Sequence, residues 1–176
     1  MTFGKYILTI AILVTSLSCL SQDNTRLDSI AKIKGVLQKD NIVATQGVGY
    51  AGMPSRHWYS FAYLLWLCTD EELVQMTYDS SPAVRLYSYI ALVHKKYSNL
   101  PTIEKRLSLD TAQLSSIEGC ILDKTAVAKG VASINNWYHE KSTNAIIMIL
   151  QKDAVYRMNL YGDIIDKKSI RRYTIK

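Results

Sequence analysis

The chain has 176 residues and a formal net charge of +6, from 21 lysines and arginines against 15 aspartates and glutamates. With 48% hydrophobic and 20% charged residues it has the composition of a globular domain, which excludes an intrinsically disordered chain. The length fits a single domain with one core, and the modest positive charge would favour anionic surfaces without indicating a fold.

Residues 1–21 contain the three parts of a bacterial export signal in order. Lys5 supplies the positive start, an apolar segment runs from Tyr6 to Val14, and small residues lead to Ser21. The apolar segment is shorter than the ~20 residues that a transmembrane helix needs. The pattern therefore predicts export, to the bacterial periplasm or to the outer membrane as a lipoprotein.

Two cleavage modes fit the end of this signal. Ser16-Leu17-Ser18-Cys19 resembles a permissive bacterial lipobox, in which a small residue precedes a cysteine that becomes lipidated. The alternative is ordinary cleavage after Ser21, with Cys19 and Ser21 at the small-residue positions of the site. Of the two we favour lipidation at Cys19, in which case several acyl chains would hold the protein firmly at the membrane.

Cys68 and Cys120 remain in the mature chain. Export would allow them to form one disulfide. Their apolar surroundings instead favour two buried thiols that pack as small hydrophobic groups, and we prefer this interpretation. Since the sequence has no CxxC or Cys/His ligand spacing, it predicts neither a structural zinc nor any other cofactor.

The first two segments of the mature chain differ in character. Residues 25–39 carry Leu27 and Ile30 at helical spacing and predict an amphipathic helix. Residues 40–52 predict a loop, because they contain three closely spaced glycines, Gly47, Gly49 and Gly52. The loop lacks the Gly-Lys-Ser/Thr ending of a phosphate-binding loop.

Two helices are predicted next, from Arg56 to about Cys68 and from Asp70 to about Tyr78. The first is apolar on nearly every face, which is typical of a buried core helix. Before the second, the spacing of Thr69 and Glu72 predicts a capping box. Glu71 and Glu72 do not predict acid–base catalysis, because adjacent side chains point apart on a helix.

The clearest helix start in the chain is Asp79-Ser80-Ser81-Pro82. Pro82 has no N–H and a fixed φ, so it suits the first turn of a helix, with Ser81 as the N-cap. The apolar segment that follows closes at His94-Lys95-Lys96, and cationic side chains are favoured at this end of a helix.

This stretch also resembles a known family. Asp79, the run Pro82-Ala83-Val84-Arg85 and the pair Ala91-Leu92 are similar to the HEAT-type helical repeat, which has an aspartate, a turn, a Val-Arg pair and a small residue before Leu. The resemblance implies that Asp79 and Arg85 are structural residues that bond the turn and the adjacent repeat. Aligning Pro54 with Pro82 suggests a second unit, but the offset of 28 residues is shorter than the ~40 of HEAT units, which leaves true repetition open.

The C-terminal third is less regular. Residues 102–107 predict a short helix, and residues 107–111 alternate briefly as a strand would. Asp123 is the predicted N-cap of a helix whose apolar face includes Val127, Val131 and Ile134. Residues 144–160 fit either a buried strand or a helix, and we favour a helix. The basic tail from about residue 163 is expected to be exposed or loosely docked.

Few residues suggest chemistry. The three histidines are far apart and lack metal-binding spacing. Ser55, His57 and Cys68 are the residues from which an exported hydrolase would be built. There is no G-x-S-x-G elbow, however, and Cys68 ends an apolar helix where a reactive thiolate is not expected.

The sequence as a whole predicts a mostly α protein of irregular antiparallel helix pairs, a fragment of a HEAT-like α-α superhelix, with residues 22–176 as one domain. Stacked helix pairs usually bind partners, so we expect a non-enzymatic interaction or structural protein of the bacterial envelope. Its partners would be an unknown protein and, through Cys19, the membrane. The alternatives are a hydrolase at Ser55, His57 and Cys68, or an inhibitor- or immunity-type binder. Export argues against nucleic acid as the partner of the basic tail.

Overall fold

The computed structural model describes residues 24–137 and residue 146. The export signal with Cys19 and the basic tail lie outside these residues. Of the segment 144–160 only Ile146 is described, and it is helical and buried. The elements follow in the order α1 (residues 24–40), β1 (Ile42–Val48), β2 (Met53–Pro54), α2 (Arg56–Leu67), α3 (Asp70–Met76), α4 (Pro82–His94), α5 (Leu100–Leu107), β3 (Gln113–Gly119), β4 (Ile121–Ala126) and α6 (Val127–Trp137).

The described part is an α/β fold, so the predicted mostly α architecture of HEAT-like helix pairs is wrong. Its strands form one sheet in the order β2-β1-β3-β4. The neighbours β1 and β3 run parallel, whereas β2 pairs with β1 and β4 with β3 in antiparallel hairpins. The helices between β2 and β3 therefore form one long crossover between two parallel strands, as parallel pairing requires.

The segment predicted as a glycine-rich loop contains β1 and the turn to β2. The run Ile42-Val43-Ala44-Thr45 supplies the β-branched residues that favour a strand. Gly49 and Gly52 lie in the turn with positive φ angles of 72° and 60°, which glycine adopts without strain. The loop prediction fails because the glycines cluster at the turn end of the segment and leave its first half free to pair.

The prediction for the second hairpin is also wrong. Residues 107–111 end α5 and lead into β3, which begins at Gln113. Asp123 is the register partner of Ser116 inside β4, so it does not cap α6. Its carboxylate accepts the N–H of Lys124 within the strand instead.

The predicted helices at α1, α2, α3, α4 and α5 are confirmed within a few residues. The capping box of α3 is confirmed as well: the Thr69 hydroxyl accepts the Glu72 N–H, and the Glu72 carboxylate accepts the Thr69 N–H. Pro82 begins α4 after Ser81, but the Ser81 side chain makes no capping bond. The Asn41 side-chain oxygen accepts the N–H of Ala83 at 3.2 Å instead, so the capping bond of α4 comes from the residue between α1 and β1.

The core lies between the helices and the sheet, with α2 and α4 at its centre. Nearly every residue of α2 from Trp58 to Leu67 is buried, as its all-round apolar sequence predicts. Phe61 of α2 stacks on Tyr87 of α4 with ring centroids 5.4 Å apart, and both rings are fully buried.

The hydroxyl of Tyr87 connects α4 to the sheet. It accepts the N–H of Ala44 at 2.7 Å and donates to the Ala44 carbonyl at 3.3 Å. On this side of β1 the short strand β2 reaches only Gly47 and Val48. Buried backbone groups need hydrogen-bond partners. The Tyr87 hydroxyl supplies for Ala44 the hydrogen bonds that a longer β2 would otherwise make.

We expect Tyr87→Phe to destabilise the protein by about 1–3 kcal/mol, because it removes a hydrogen-bond partner from a fully buried backbone N–H. The measurement is urea-induced unfolding at equilibrium. Tyr78→Phe is the matched control: Tyr78 is exposed and its ring packs under Arg106, so loss of its hydroxyl should change stability by less than about 0.5 kcal/mol. Equal effects of the two substitutions would contradict the role given to Tyr87.

Candidate functional site

The structure does not bring together Ser55, His57 and Cys68. The buried Ser55 hydroxyl accepts the N–H of Trp58 at 3.3 Å and caps α2. His57 in the first turn of α2 pairs its Nε2 with the Asp40 carboxylate at 3.0 Å. Cys68 follows the other end of this 12-residue helix, about 18 Å away along its axis. None of these side chains activates another.

The two cysteines are unpaired and differ in environment. Cys68 is buried, and burial, assisted by the nearby Glu72 carboxylate, raises the pKa of its thiol to about 12. The thiolate needed for nucleophilic chemistry is therefore scarce at neutral pH. Cys120 lies exposed in the β3–β4 turn, so the prediction of two buried thiols is correct for Cys68 and wrong for Cys120.

Within residues 24–137 and residue 146, no group of three His, Cys, Asp or Glu side chains could hold a metal ion. In the same part of the chain, no helix combines the length and the apolar character needed to span a bilayer. His139, the last of the three histidines, lies outside the described residues.

Asp79 joins α1 to the turn before α4. Its carboxylate accepts hydrogen bonds from Gln38 at 3.0 and 3.1 Å and from the backbone N–H of Ser81 at 2.9 Å, and it pairs with Lys34 at 3.1 Å. Partial burial opposes ionisation of Asp79, but these bonds outweigh it and hold the pKa of the carboxyl below its usual range. The carboxylate is fully engaged within the fold.

Arg85, just after Pro82 in the first turn of α4, extends the same network. Its Nε and Nη2 donate to the two oxygens of Asp110 at 2.7 and 3.2 Å. Its Nη1 donates to the carbonyls of Asp79 and Ser80 at 2.7 and 3.0 Å. These are contacts of a structural residue, but they tie the turn to the α5–β3 connection rather than to an adjacent repeat.

The most unusual surface is the end of the sheet formed by the tips of its two hairpins. Met53, Ile121 and Leu122 are 56%, 69% and 68% exposed, and Tyr50 in the β1–β2 turn is fully exposed. The two turns are held side by side by a hydrogen bond from the Gly49 N–H to the Gly119 carbonyl, 2.8 Å long. We call the four apolar residues Tyr50, Met53, Ile121 and Leu122 the apolar sheet end.

The strand register extends this surface across the sheet. Met53 pairs with Val48, and Leu122 pairs with Ile117. Register partners share a face of the sheet. Val48 and Ile117 are themselves only partly buried, so apolar side chains follow one another from β2 to β4 on this face.

The signal for the apolar sheet end was present in the sequence as apolar residues immediately beside Gly-containing turns. The sequence alone does not predict this exposed surface, because Cys120-Ile121-Leu122 has the same local composition as a buried segment. The chain matches no family model and no curated protein at a significant level. Its function must therefore be inferred from the geometry of its own residues.

We expect Arg85→Ala to lower the free energy of unfolding by about 1.5–3 kcal/mol, since it removes charge-assisted bonds to Asp110 and to two carbonyls. Arg85→Lys should recover only part of this loss, because lysine lacks the planar fork that engages both carboxylate oxygens. Chemical denaturation provides the measurement. Lys105→Ala at an exposed position of α5 is the control, and a loss for Arg85→Ala no larger than for this control would contradict a structural role.

Proposed function

We propose that the protein is an exported, non-enzymatic binding module of the bacterial envelope that holds a protein partner on its apolar sheet end. The supporting observation is the clustering of exposed apolar side chains. Among the described residues seven large hydrophobic side chains are exposed, and four of them lie together at this one end of the sheet. Single exposed hydrophobic residues are common, whereas a contiguous group is typical of an interaction site.

The surroundings of this surface suit a protein interface. Glu118 and Lys124 border it with charges of both signs, which would form a polar rim around an apolar centre. Two short hairpins fixed to each other through Gly49 and Gly119 also present a rigid surface, so little side-chain and backbone entropy would be lost on binding.

The position of the start of α1 in the fold favours a protein over the membrane as the occupant. The start of α1 lies against the C-terminal end of α2, because Arg26 donates to the Leu67 carbonyl and to both oxygens of Glu72. The N-terminal end of α2 adjoins the end of β1 through a bond from the Ser55 N–H to the Gln46 carbonyl, 2.8 Å long. The start of α1 and the apolar sheet end thus lie at opposite ends of α2.

A lipid on Cys19 would therefore orient the domain. Four residues separate Cys19 from the start of α1 at Asn24, and the five backbone steps between them span at most about 18 Å. The anchored end of the domain would lie near the bilayer, and the apolar sheet end would point away from it. We infer that the sheet end contacts another envelope protein rather than lipid.

The hydrolase alternative has no comparable support. Ser55 caps a helix, His57 pairs with Asp40, and the Cys68 thiol is buried with a raised pKa. An inhibitor- or immunity-type binder is a particular form of the binding function proposed here, and identification of the partner would distinguish it.

We expect a photoreactive phenylalanine at position 50 to cross-link the exported protein to one partner in intact cells. Leu122→Asp should reduce the yield of this adduct at least about tenfold, because it places a charge in the apolar interface. Leu109→Asp is the matched control: Leu109 is 78% exposed but lies after α5, outside the apolar sheet end, and its substitution should leave the yield unchanged. Thermal melting must show that both variants fold.

Two results would contradict the proposal. One is a cross-linking yield at position 50 that is equally sensitive to both aspartate substitutions. The other is Leu122-dependent binding of the purified protein to anionic phospholipid vesicles, which would make lipid the occupant. In a parallel experiment Cys19→Ala should move the protein from the membrane fraction to the soluble fraction. Unchanged fractionation would contradict lipidation at Cys19.

A further inference from the structure

A cavity of about 90 Å³ lies between the sheet, α4 and α6. Its floor is apolar and is formed by Val43 of β1 and by Leu86 and Ile90 of α4, with Ile134 of α6 beside them. The volume corresponds to about three water molecules in the liquid. A branched aliphatic group fits such a space, whereas a nucleotide or a drug-sized ligand does not.

A glycine gives the cavity its shape. A Cβ at Gly130 of α6 would lie 2.5 Å from a methyl carbon of Leu86, so the absence of a side chain lets α6 approach α4 closely. The close contact fixes the positions of Leu86 and of the residues that flank Gly130 on α6.

Ser116 of β3 places a polar group against these apolar walls. The residue is only 7% exposed and lines the cavity. Its hydroxyl makes no hydrogen bond with the described part of the chain. A hydroxyl that lines a cavity can form a hydrogen bond with a polar atom of a ligand there.

Charged groups of opposite sign stand at the mouth. Asp123 of β4 is the register partner of Ser116, which places the two side chains on one face with Cβ atoms about 5 Å apart. Lys129 lines the opposite wall on α6, with Ser133 one turn further along the same helix face. Neither Asp123 nor Lys129 forms an ion pair with any described residue.

From this arrangement we propose that the cavity binds a free aliphatic α-amino acid. The ammonium group would lie between the Asp123 carboxylate and the Ser116 hydroxyl, which both accept hydrogen bonds. The carboxylate would face Lys129, and the branched side chain would fill the space above Leu86 and Ile90. Each ligand group then meets a complementary protein group.

The site lies mostly apart from the proposed protein interface: of the apolar sheet end, Ile121 is on the cavity face of the sheet, two positions before Asp123. Ser116 and Asp123 lie on the face of the sheet that carries the cavity. The apolar stripe through Ile117 and Leu122 lies on the other face, because adjacent residues of a strand alternate between faces. Substitutions at Leu122 and at Asp123 can therefore test partner binding and amino acid binding separately.

The test is calorimetric titration of the exported protein with L-leucine. We expect saturable binding with a dissociation constant below about 10 mM, and about tenfold weaker binding for each of Asp123→Asn and Lys129→Gln, since each removes a charge-assisted contact. Ser116→Ala should weaken binding severalfold. Lys124→Gln, next to Asp123 but on the opposite face, is the control and should bind as the unmodified protein does.

Two further ligands separate the proposed chemistry from simple apolar binding. Isoamylamine and 4-methylpentanoate are leucine without its carboxylate and without its ammonium group, and each should bind about tenfold more weakly than L-leucine. Equal binding of all three compounds would overturn the assignment of the two charged residues. Absence of saturable L-leucine binding to the folded protein would overturn the site itself.

Discussion

The fold depends on Asn41, the single residue between α1 and β1. Its φ of 50° is left-handed, and its N–H bonds to the Leu37 carbonyl at 2.9 Å, which ends the helix. Its side-chain amide donates to the Gln113 carbonyl at 3.0 Å and accepts the Ala83 N–H at 3.2 Å. Its own carbonyl accepts the N–H of Ser115. One asparagine therefore terminates α1, caps α4 and begins the parallel pairing of β1 with β3.

Two further polar contacts hold α4 to its neighbours. With α4 held at its first turn, the Tyr87 hydroxyl reaches Ala44 from inside the core, while Arg85 engages Asp110 from outside. The polar side chains that could otherwise take part in catalysis, such as His57, also form hydrogen bonds within the fold. In the described part of the chain, the surfaces left for function are the apolar sheet end at the hairpin tips and the small cavity under α6.

The helices could be predicted because their signals are local. The capping box of Thr69 and Glu72 and the proline at the start of α4 act within one turn, so the sequence places them correctly. The sheet could not be predicted in this way, since Asn41 and its partner Gln113 are 72 positions apart. Ser81 occupies the N-cap position of α4 as predicted, but the capping hydrogen bond could not be predicted, because it comes from Asn41, 42 positions before Ala83.

The function-related features follow the same division. The resemblance to the HEAT-type repeat implies structural roles for Asp79 and Arg85, but it gives no indication of the partner Asp110. The exposure of Ile121 and Leu122 depends on their position at a hairpin tip, which local composition does not reveal. The cavity hydroxyl of Ser116 and the charge of Asp123 meet only through strand register.

The free energy of unfolding of the Asn41→Gly variant tests the central role of the Asn41 side chain most directly. Glycine adopts the left-handed conformation freely and is the residue favoured after a helix end, so without the side-chain bonds this substitution would be neutral or stabilising. We predict instead a loss of about 1–3 kcal/mol, because the bonds to Gln113 and Ala83 disappear. Unchanged or increased stability of Asn41→Gly would contradict the account.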